Sequence, residues 1–332
     1  MDEFLWMVRA GSNSVFYEDF IAKNVVAIGF DRLGDLSNIK DHEALMKKAQ
    51  IAYDGYKKAQ ISNYANQVSN FLFEIEKGDY VITYDSYSRL YMVGNVTEDY
   101  EYNPKLLEEM PNIRKVKWLK SIPRDSLSNT TKNSLGAIQT LFQPRDSAKK
   151  EILSILEGKE TVATDQQVIV EPDTSPREVV EQAEEFIKDK IVGISWQDMQ
   201  ELVAGILRAM GYRTRVSPPG PDRGVDIIAS PDALGLTQPR IFVEVKHRER
   251  SSIGPKDIRY LIAGRNPQQD KCLYVSTGGF TKDAKLEADR SNTPLTLVDL
   301  DMLVELLLQY YENLDSETKA IIPLKKIYWP QM

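Results

Sequence analysis

Two short apolar segments carry the residues best suited to chemistry. In Ile241-Phe242-Val243-Glu244-Val245-Lys246, an acid and a lysine interrupt an apolar run at alternate positions. Upstream, Gly224-Val225-Asp226-Ile227-Ile228 places one acid in a second apolar run. Side chains at i and i+2 of a strand share a face, so Glu244 and Lys246 point one way while Val243 and Val245 point into packing. The intervening Pro231-Asp232-Ala233-Leu234-Gly235 is rich in turn formers and predicts a hairpin between strands 225–230 and 241–246. Such a hairpin brings two carboxylates and one ammonium together, the outline of a divalent-metal hydrolysis site.

The residue types suit that chemistry. Mg2+ is a hard cation that keeps several waters and takes one or two carboxylates together with phosphate oxygens. Asp226 and Glu244 are the expected carboxylate ligands, with the Val245 carbonyl as a further one and Mn2+ as the alternative ion. The ion would polarise a scissile phosphate and lower the pKa of a bound water. Lys246 would orient or deprotonate that water, and a nearby cation depresses a lysine pKa as a general base requires. An acid and a lysine at this spacing also occur on solvated strand faces. The flanking apolar run and the upstream Asp226 segment set this pair apart.

Between roughly Ile194 and Leu307 the chain resembles the catalytic domain of the Mrr-type restriction endonucleases, within the PD-(D/E)xK nuclease superfamily. The resemblance is carried in order along the chain. Trp196 to Val203 and Leu207-Arg208-Ala209-Met210-Gly211-Tyr212 match the first helix and its end, and Gly220 to Ile227 the glycine-rich lead into the acidic strand. Phe242-Val243-Glu244-Val245-Lys246 matches the ExK strand, while Ile253 to Arg259 and Tyr274 to Ala284 match a later helix and strand. The resemblance implies an α/β fold, a Mg2+-dependent endodeoxyribonuclease, and Asp226, Glu244 and Lys246 as its catalytic trio.

The chain departs from the family at the first helix, which usually supplies an acid. The register there gives Gln200. The apolar stripe Trp196, Met199, Leu202, Val203, Ile206, Leu207 and Met210 has helical spacing and leaves Gln200 at its edge, within reach of the site. Glu201 lies nearly opposite the stripe and is the alternative. Gln200 is expected to support the ligands or hold a water, and the lost carboxylate implies weaker metal affinity or one metal rather than two. Asp222 spells the nominal "PD" with Pro221, but a loop aspartate ordinarily makes a turn, so Asp226 is the better candidate.

The 332-residue length suits two domains. The expected division is a nucleic-acid recognition domain over 1–145, a linker with a helix over 146–190, the catalytic domain over 191–310 and a tail over 311–332. The acidic start and the lack of an apolar run of the roughly 20 residues a spanning helix needs predict a cytoplasmic protein without a membrane partner. One cysteine and two histidines make a structural zinc site a poor expectation, and Cys272 reads as a buried thiol. A net charge of −7 argues against a nonspecific DNA coat but allows a basic cleft. His247, Lys256, Arg259 and Lys282 are the expected contacts to a DNA backbone, with edge packing the alternative for His247.

The N-terminal half has short, glycine-bounded strands at 5–11, 25–30, 78–84, 90–96 and 114–118, and helical patterns at 17–23 and 41–70. These predict an α+β domain built on a small, partly closed β-barrel. Val26 to Ser37, with Gly78-Asp79-Tyr80-Val81 and Val93-Gly94, resembles the EVE/PUA-like domains, which implies recognition of a modified, flipped-out base. Trp6, Phe30, Tyr84 and Trp118 are the candidate stacking residues, with Arg9 and Ser14 at the rim; barrel core is the alternative for each.

Together the halves predict a metal-dependent endonuclease acting on modified double-stranded DNA, in the manner of type IV restriction, and assembling as a homo-oligomer to cut both strands. The alternatives are a restriction endonuclease reading unmodified sequence and a non-cleaving nucleic-acid sensor.

Overall fold

The computed structural model describes residues 3–11, 14–137, 139–159, 176–218, 225–247 and 252–326. The chain divides into two units, Met1–Gln182 and Ala183–Met332. Among the described residues, no helix is long and apolar enough to cross a membrane.

The N-terminal unit is built on a seven-stranded sheet in the order β2-β6-β4-β3-β1-β7, with β5 pairing β6. Its strands are β1 (Leu5–Val8), β2 (Val25–Ile28), β3 (Tyr80–Asp85), β4 (Leu90–Val96), β5 (Glu101–Tyr102), β6 (Asn112–Pro123) and β7 (Leu141–Phe142). β1 and β3 run parallel, while β3 with β4 and β4 with β6 are antiparallel. β1 also approaches β2, so the sheet nearly closes. All four residues of β1 are buried because the strand feeds two cores. Trp6 and Val8 enter one, and Leu5 and Met7 the other, which is why Leu-Trp-Met-Val is apolar throughout rather than alternating. At the β4 bulge, Gly94 lets β6 close in, since a Cβ there would lie 2.8 Å from Trp118 Cε3.

Helices α1 (Tyr17–Lys23), α2 (His42–Ala52), α3 (Lys58–Ser69), α4 (Asn129–Leu135) and α5 (Asp146–Leu156) belong to the same unit, and α3 runs on into a π-helix over Asn70–Glu74. α5 falls at the start of the stretch expected as a linker with a helix, 146–190, and it is packed. Ala148 and Ile152 of α5 are buried, and Glu151 accepts hydrogen bonds from the Ser128 amide at 2.8 Å and from both the Ser128 and Thr131 hydroxyls at 2.6 Å. An amphipathic helix with an apolar stripe buries it where a face is available, and α4 supplies that face. Residues 160–175 of the expected linker lie outside the described residues.

The second unit holds a five-stranded sheet in the order β12-β11-β10-β9-β8: β8 (Arg213–Val216), β9 (Ile227–Ser230), β10 (Arg240–Lys246), β11 (Asp270–Ser276) and β12 (Leu295–Val298). β8, β9 and β10 are antiparallel neighbours, whereas β10, β11 and β12 are parallel. Helices α6 (Pro176–Gly193), α7 (Trp196–Ala209), α8 (Pro255–Ile262), α9 (Lys282–Asp289), α10 (Leu300–Tyr310) and α11 (Ser316–Ile321) accompany it. Val243, Val245 and Val275 pack with α7 and α10 on one face, and Phe242, Cys272 and Tyr274 with α8 and α9 on the other. Both faces are covered, so β10 reads as a nearly continuous apolar run in which the polar residues stand out.

The segment expected as a tail from residue 311 carries α11 and packs on the unit. Leu314 and Ile322 join the core, and α11 crosses α7 where Gly205 faces Thr318. The Arg208 guanidinium ties the crossing by donating to Asp315 Oδ2 at 2.9–3.0 Å and to Glu201 Oε1 at 2.6 Å. A Cβ on Gly205 would overlap the Thr318 hydroxyl and methyl and sit 2.8 Å from Thr318 Cβ. Gly205→Ala is therefore expected to lower stability by about 1–3 kcal/mol through overpacking, despite alanine's better helix propensity. Thermal denaturation measures it, and an unchanged or raised Tm would refute the close crossing.

Candidate active site

The β9–β10 ladder pairs Ile227, Ile228 and Ala229 with Val243, Phe242 and Ile241. Asp226 falls just before β9 rather than within it, and its own amide still donates to the Val243 carbonyl at 2.8 Å. Two residues further along β10, the Val245 amide has no strand residue to meet on that side. The Asp226 carboxylate takes its place, Oδ2 accepting from Val245 N at 2.6 Å. A buried main-chain donor needs a partner, and here a side chain supplies it. Oδ1 accepts from Gln200 Nε2 on α7, also at 2.6 Å. Gln200 and Asp226 are both buried, so two charge-assisted hydrogen bonds fix this carboxylate.

Glu244 stands on the same β10 face as Lys246, its Oε1 3.2 Å from Lys246 Nζ. Burial pushes the Glu244 carboxyl above its ordinary value, Lys246 pulls it down, and the charges of Asp226 and Asp257 push it up again. The Lys246 side chain is 36 % exposed against 11 % for Glu244, so the ammonium is the part of the pair that meets solvent. The structure thus brings together Gln200, Asp226, Glu244, Val245 and Lys246.

Two further residues join them from β11. Parallel register sets Tyr274 beside Glu244 and Ser276 beside Lys246. The Tyr274 hydroxyl donates to Glu244 Oε1 at 3.4 Å, while the Ser276 hydroxyl is fully buried with no hydrogen-bond partner. The sequence reading missed both. The signal was a Tyr-x-Ser pair with the same alternation as Glu-x-Lys, visible only once the two strands are aligned.

The resemblance seen in the sequence implies a divalent cation, and the donors of Asp226 and Glu244 fit one. Asp226 and Glu244 offer hard oxygens, each with lone pairs beyond those its hydrogen bonds use, and one or two carboxylates is what Mg2+ takes from a protein. Among the described residues, no group of three or more His, Cys, Asp and Glu converges as a thiolate or imidazole site would require.

The remaining candidates are dispersed. Glu201 is engaged by Arg208. His247 is buried with Nε2 3.0 Å from the Ile194 carbonyl, the packing alternative for that residue. Lys256 lies exposed over the Tyr260 ring, Arg259 pairs with Glu287 at 2.9 Å, and Lys282 is exposed at the start of α9. Asp222, Arg248 and Arg250 lie outside the described residues. Cys272 is buried, which raises its thiol pKa to about 11.

In the N-terminal unit the four aromatics do not form one surface. Trp6, Phe30 and Trp118 pack on one core and Tyr84 on the other. Trp6 donates its indole N–H to Asp79 at 3.1 Å, and Trp118 donates to the Phe20 carbonyl at 3.2 Å. Tyr84 stacks 4.5 Å from Tyr91 beneath Arg124. Phe30, at a φ of 55°, lies 5.6 Å from Tyr64 beside Tyr53 and Tyr56. Ser14 accepts from the Ser86 amide at 3.1 Å, and Arg9 is half-buried just past β1, its amide bonded to the Thr140 carbonyl at 2.9 Å.

Residues 191–307 match a restriction endonuclease family, Mrr_cat, over the same stretch as the resemblance seen in the sequence. Residues 6–143 match a domain of unknown function, DUF8426. An uncharacterized protein, y4cE of Sinorhizobium fredii, is 26 % identical over 98 residues, covering 29 % of this chain and 25 % of that protein. The chain thus spans about a quarter of that relative's length. Among solved structures, the MspJI restriction endonuclease in complex with a 27-mer oligonucleotide is similar at 13 % identity and a TM-score of 0.33, over 95 % of this chain and 79 % of that one. The DNA modification-dependent restriction endonuclease AspBHI is similar at 14 % identity and the same score, over 90 % and 79 %.

Two stability predictions follow from the carboxylates. Gln200→Ala strips a buried carboxylate of one donor and is expected to cost about 1–3 kcal/mol. Glu244→Gln acts oppositely. A carboxyl whose folded pKa is raised loses stability as pH climbs through that value, so at neutral pH in EDTA the neutral amide should raise Tm. Melting curves of the two variants should move in opposite directions; a fall for Glu244→Gln would contradict the assigned cost of its burial.

Proposed function

We propose that the protein is a metal-dependent DNA endonuclease that restricts foreign DNA, its C-terminal unit hydrolysing phosphodiester bonds and its N-terminal unit selecting modified DNA. The observation that carries this reading is the convergence of Asp226, Glu244 and Lys246 within residues that match a restriction endonuclease family.

Each side chain has a task that its surroundings suit. Asp226 is held still by Gln200 and Val245, so it presents a fixed carboxylate with little freedom to lose. Glu244 carries a charge that burial disfavours and that a cation would stabilise. When bound by Asp226 and Glu244, with the Val245 carbonyl as the proposed further ligand, Mg2+ or Mn2+ would polarise the phosphate and acidify a water. Lys246, half-exposed, orients that water or takes its proton at Nζ and faces the charge that develops on the phosphate. Lys256, Arg259 and Lys282 are proposed to follow the DNA backbone, and cutting two strands calls for a second copy of the chain.

A second reading has one observation in its favour. Gln200 places a neutral amide where the family carries an acid, which suits a protein that binds nucleic acid without cutting it.

Plasmids that are unmodified, or that carry methylated or hydroxymethylated cytosine or methylated adenine, separate these readings when incubated with the protein and Mg2+. Cutting confined to one modified plasmid is expected. Lys246→Ala should slow it by about 100-fold or more. Equal cutting of all plasmids removes the modification reader and leaves the nuclease. Intact DNA throughout, with binding retained, would instead establish the sensor.

A further inference from the structure

We infer that Ser276 is a positioning residue for Lys246: its hydroxyl receives the ammonium when a divalent cation takes the Glu244 carboxylate. This rests on the metal-dependent reading of the site and deepens it. Glu244 Oε1 is engaged twice, by Lys246 Nζ at 3.2 Å and by the Tyr274 hydroxyl at 3.4 Å. An ammonium and a divalent cation repel each other and seek the same oxygens. A cation held by Glu244 therefore displaces Lys246. To stay over the site rather than swing into solvent, its Nζ needs another acceptor.

The strand register supplies one. β10 and β11 pair Glu244 with Tyr274 and Lys246 with Ser276. Paired residues on neighbouring strands, roughly 4.8 Å apart, send their side chains to the same face. Lys246 Nζ, Glu244 Oε1 and the Tyr274 hydroxyl already meet over the seam between the two strands, so the lysine lies along the sheet. Ser276 follows Tyr274 by two residues and borders the same seam. The Thr277 amide donates to the Lys246 carbonyl at 3.1 Å, which fixes the two backbones at this point. Phe280 covers the neighbouring Tyr274 edge-on, 5.8 Å between ring centroids, and is itself bridged to Ile253.

The Ser276 hydroxyl is out of keeping with its surroundings. It is fully buried, yet it has no hydrogen-bond partner. The buried hydroxyls of Ser230 and Thr318 in the same unit are bonded, to the Asp232 carbonyl at 2.7 Å and to the Arg208 guanidinium at 3.1 Å. A lone buried hydroxyl costs stability, and alanine would occupy the position without that cost. Beside Lys246 the spare oxygen has a use, because a hydroxyl carries two lone pairs that accept from an ammonium. Being neutral, it does not compete for the cation as another carboxylate would. Tyr274 meanwhile keeps its bond to Glu244, so the acid stays in place as the lysine leaves it.

The test follows Mn2+ binding to the full chain by calorimetry, without DNA. Ser276→Ala should weaken binding about tenfold, because Lys246 then stays on Glu244 and opposes the ion. Ser276→Cys, which fills the same space with a poor acceptor, should do the same. Neither should lower Tm in EDTA, since each removes a hydroxyl that has no partner. In a Lys246→Met background, Ser276→Ala should leave Mn2+ affinity unchanged. With saturating Mg2+ and plasmid, Ser276→Ala should lower kcat and leave KM for DNA as it is. Wild-type Mn2+ affinity in both Ser276 variants overturns the inference and leaves the metal-dependent reading standing. A loss that persists in full beside Lys246→Met does so too, as does a lower Tm in both variants, which would make the hydroxyl structural. A wild-type chain that binds no Mn2+ removes the metal-dependent reading and the inference together.

Discussion

The second unit is organised around the Asp226 carboxylate. One oxygen takes the Gln200 amide of α7 and the other takes the Val245 N–H of β10. One side chain therefore fixes the distance from helix to sheet, closes the strand ladder where β9 begins, and presents a negative charge beside Glu244. A hydrogen bond to a charged group contributes about 1.5–3 kcal/mol, which sets these two contacts above most in the unit. It also suits an amide rather than an acid at position 200. Gln200 gives up a possible ligand but becomes a donor, and a second carboxylate at that distance from Asp226 would repel it.

The neighbouring strand extends the same logic. β11 runs parallel to β10 in a register that backs Glu244 with Tyr274 and Lys246 with Ser276. The acid and the lysine thus face a pair of hydroxyls across the sheet, in surroundings dry enough to raise the Glu244 pKa and open enough at Lys246 to admit a substrate. The N-terminal unit distributes polarity differently. Its sheet is apolar on both sides of β1.

What the sequence disclosed was local. The Glu-x-Lys strand, the acidic segment before it and the turn formers between them were legible because strand periodicity and turn chemistry act over a few residues. The α7 stripe was legible for the same reason, and it located Gln200. Tyr274 and Ser276 were not, since their relation to β10 depends on a register set by pairing between distant segments. α5 and α11 fall in the stretches expected as a linker with a helix and as a tail, and only the faces that helices meet decide whether they are buried. Four aromatics that looked like one pocket separated into two cores because strand alternation sends Trp6 of β1 and Tyr84 of β3 to opposite sides of the sheet.

The contact of Gly205 with Thr318 has a bearing on how the protein is made. α7, which holds Gln200 against Asp226, has α11 across its back, and Arg208 fastens the crossing to Asp315. During translation, residues 196–246 leave the ribosome well before residues 315–322 exist. The nascent chain thus carries every carboxylate and the lysine of the site while the helix behind them still lacks its outer support. Completion of the site is deferred until α11 has been synthesised, a useful order of events for a chain whose proposed substrate is the same polymer that encodes it.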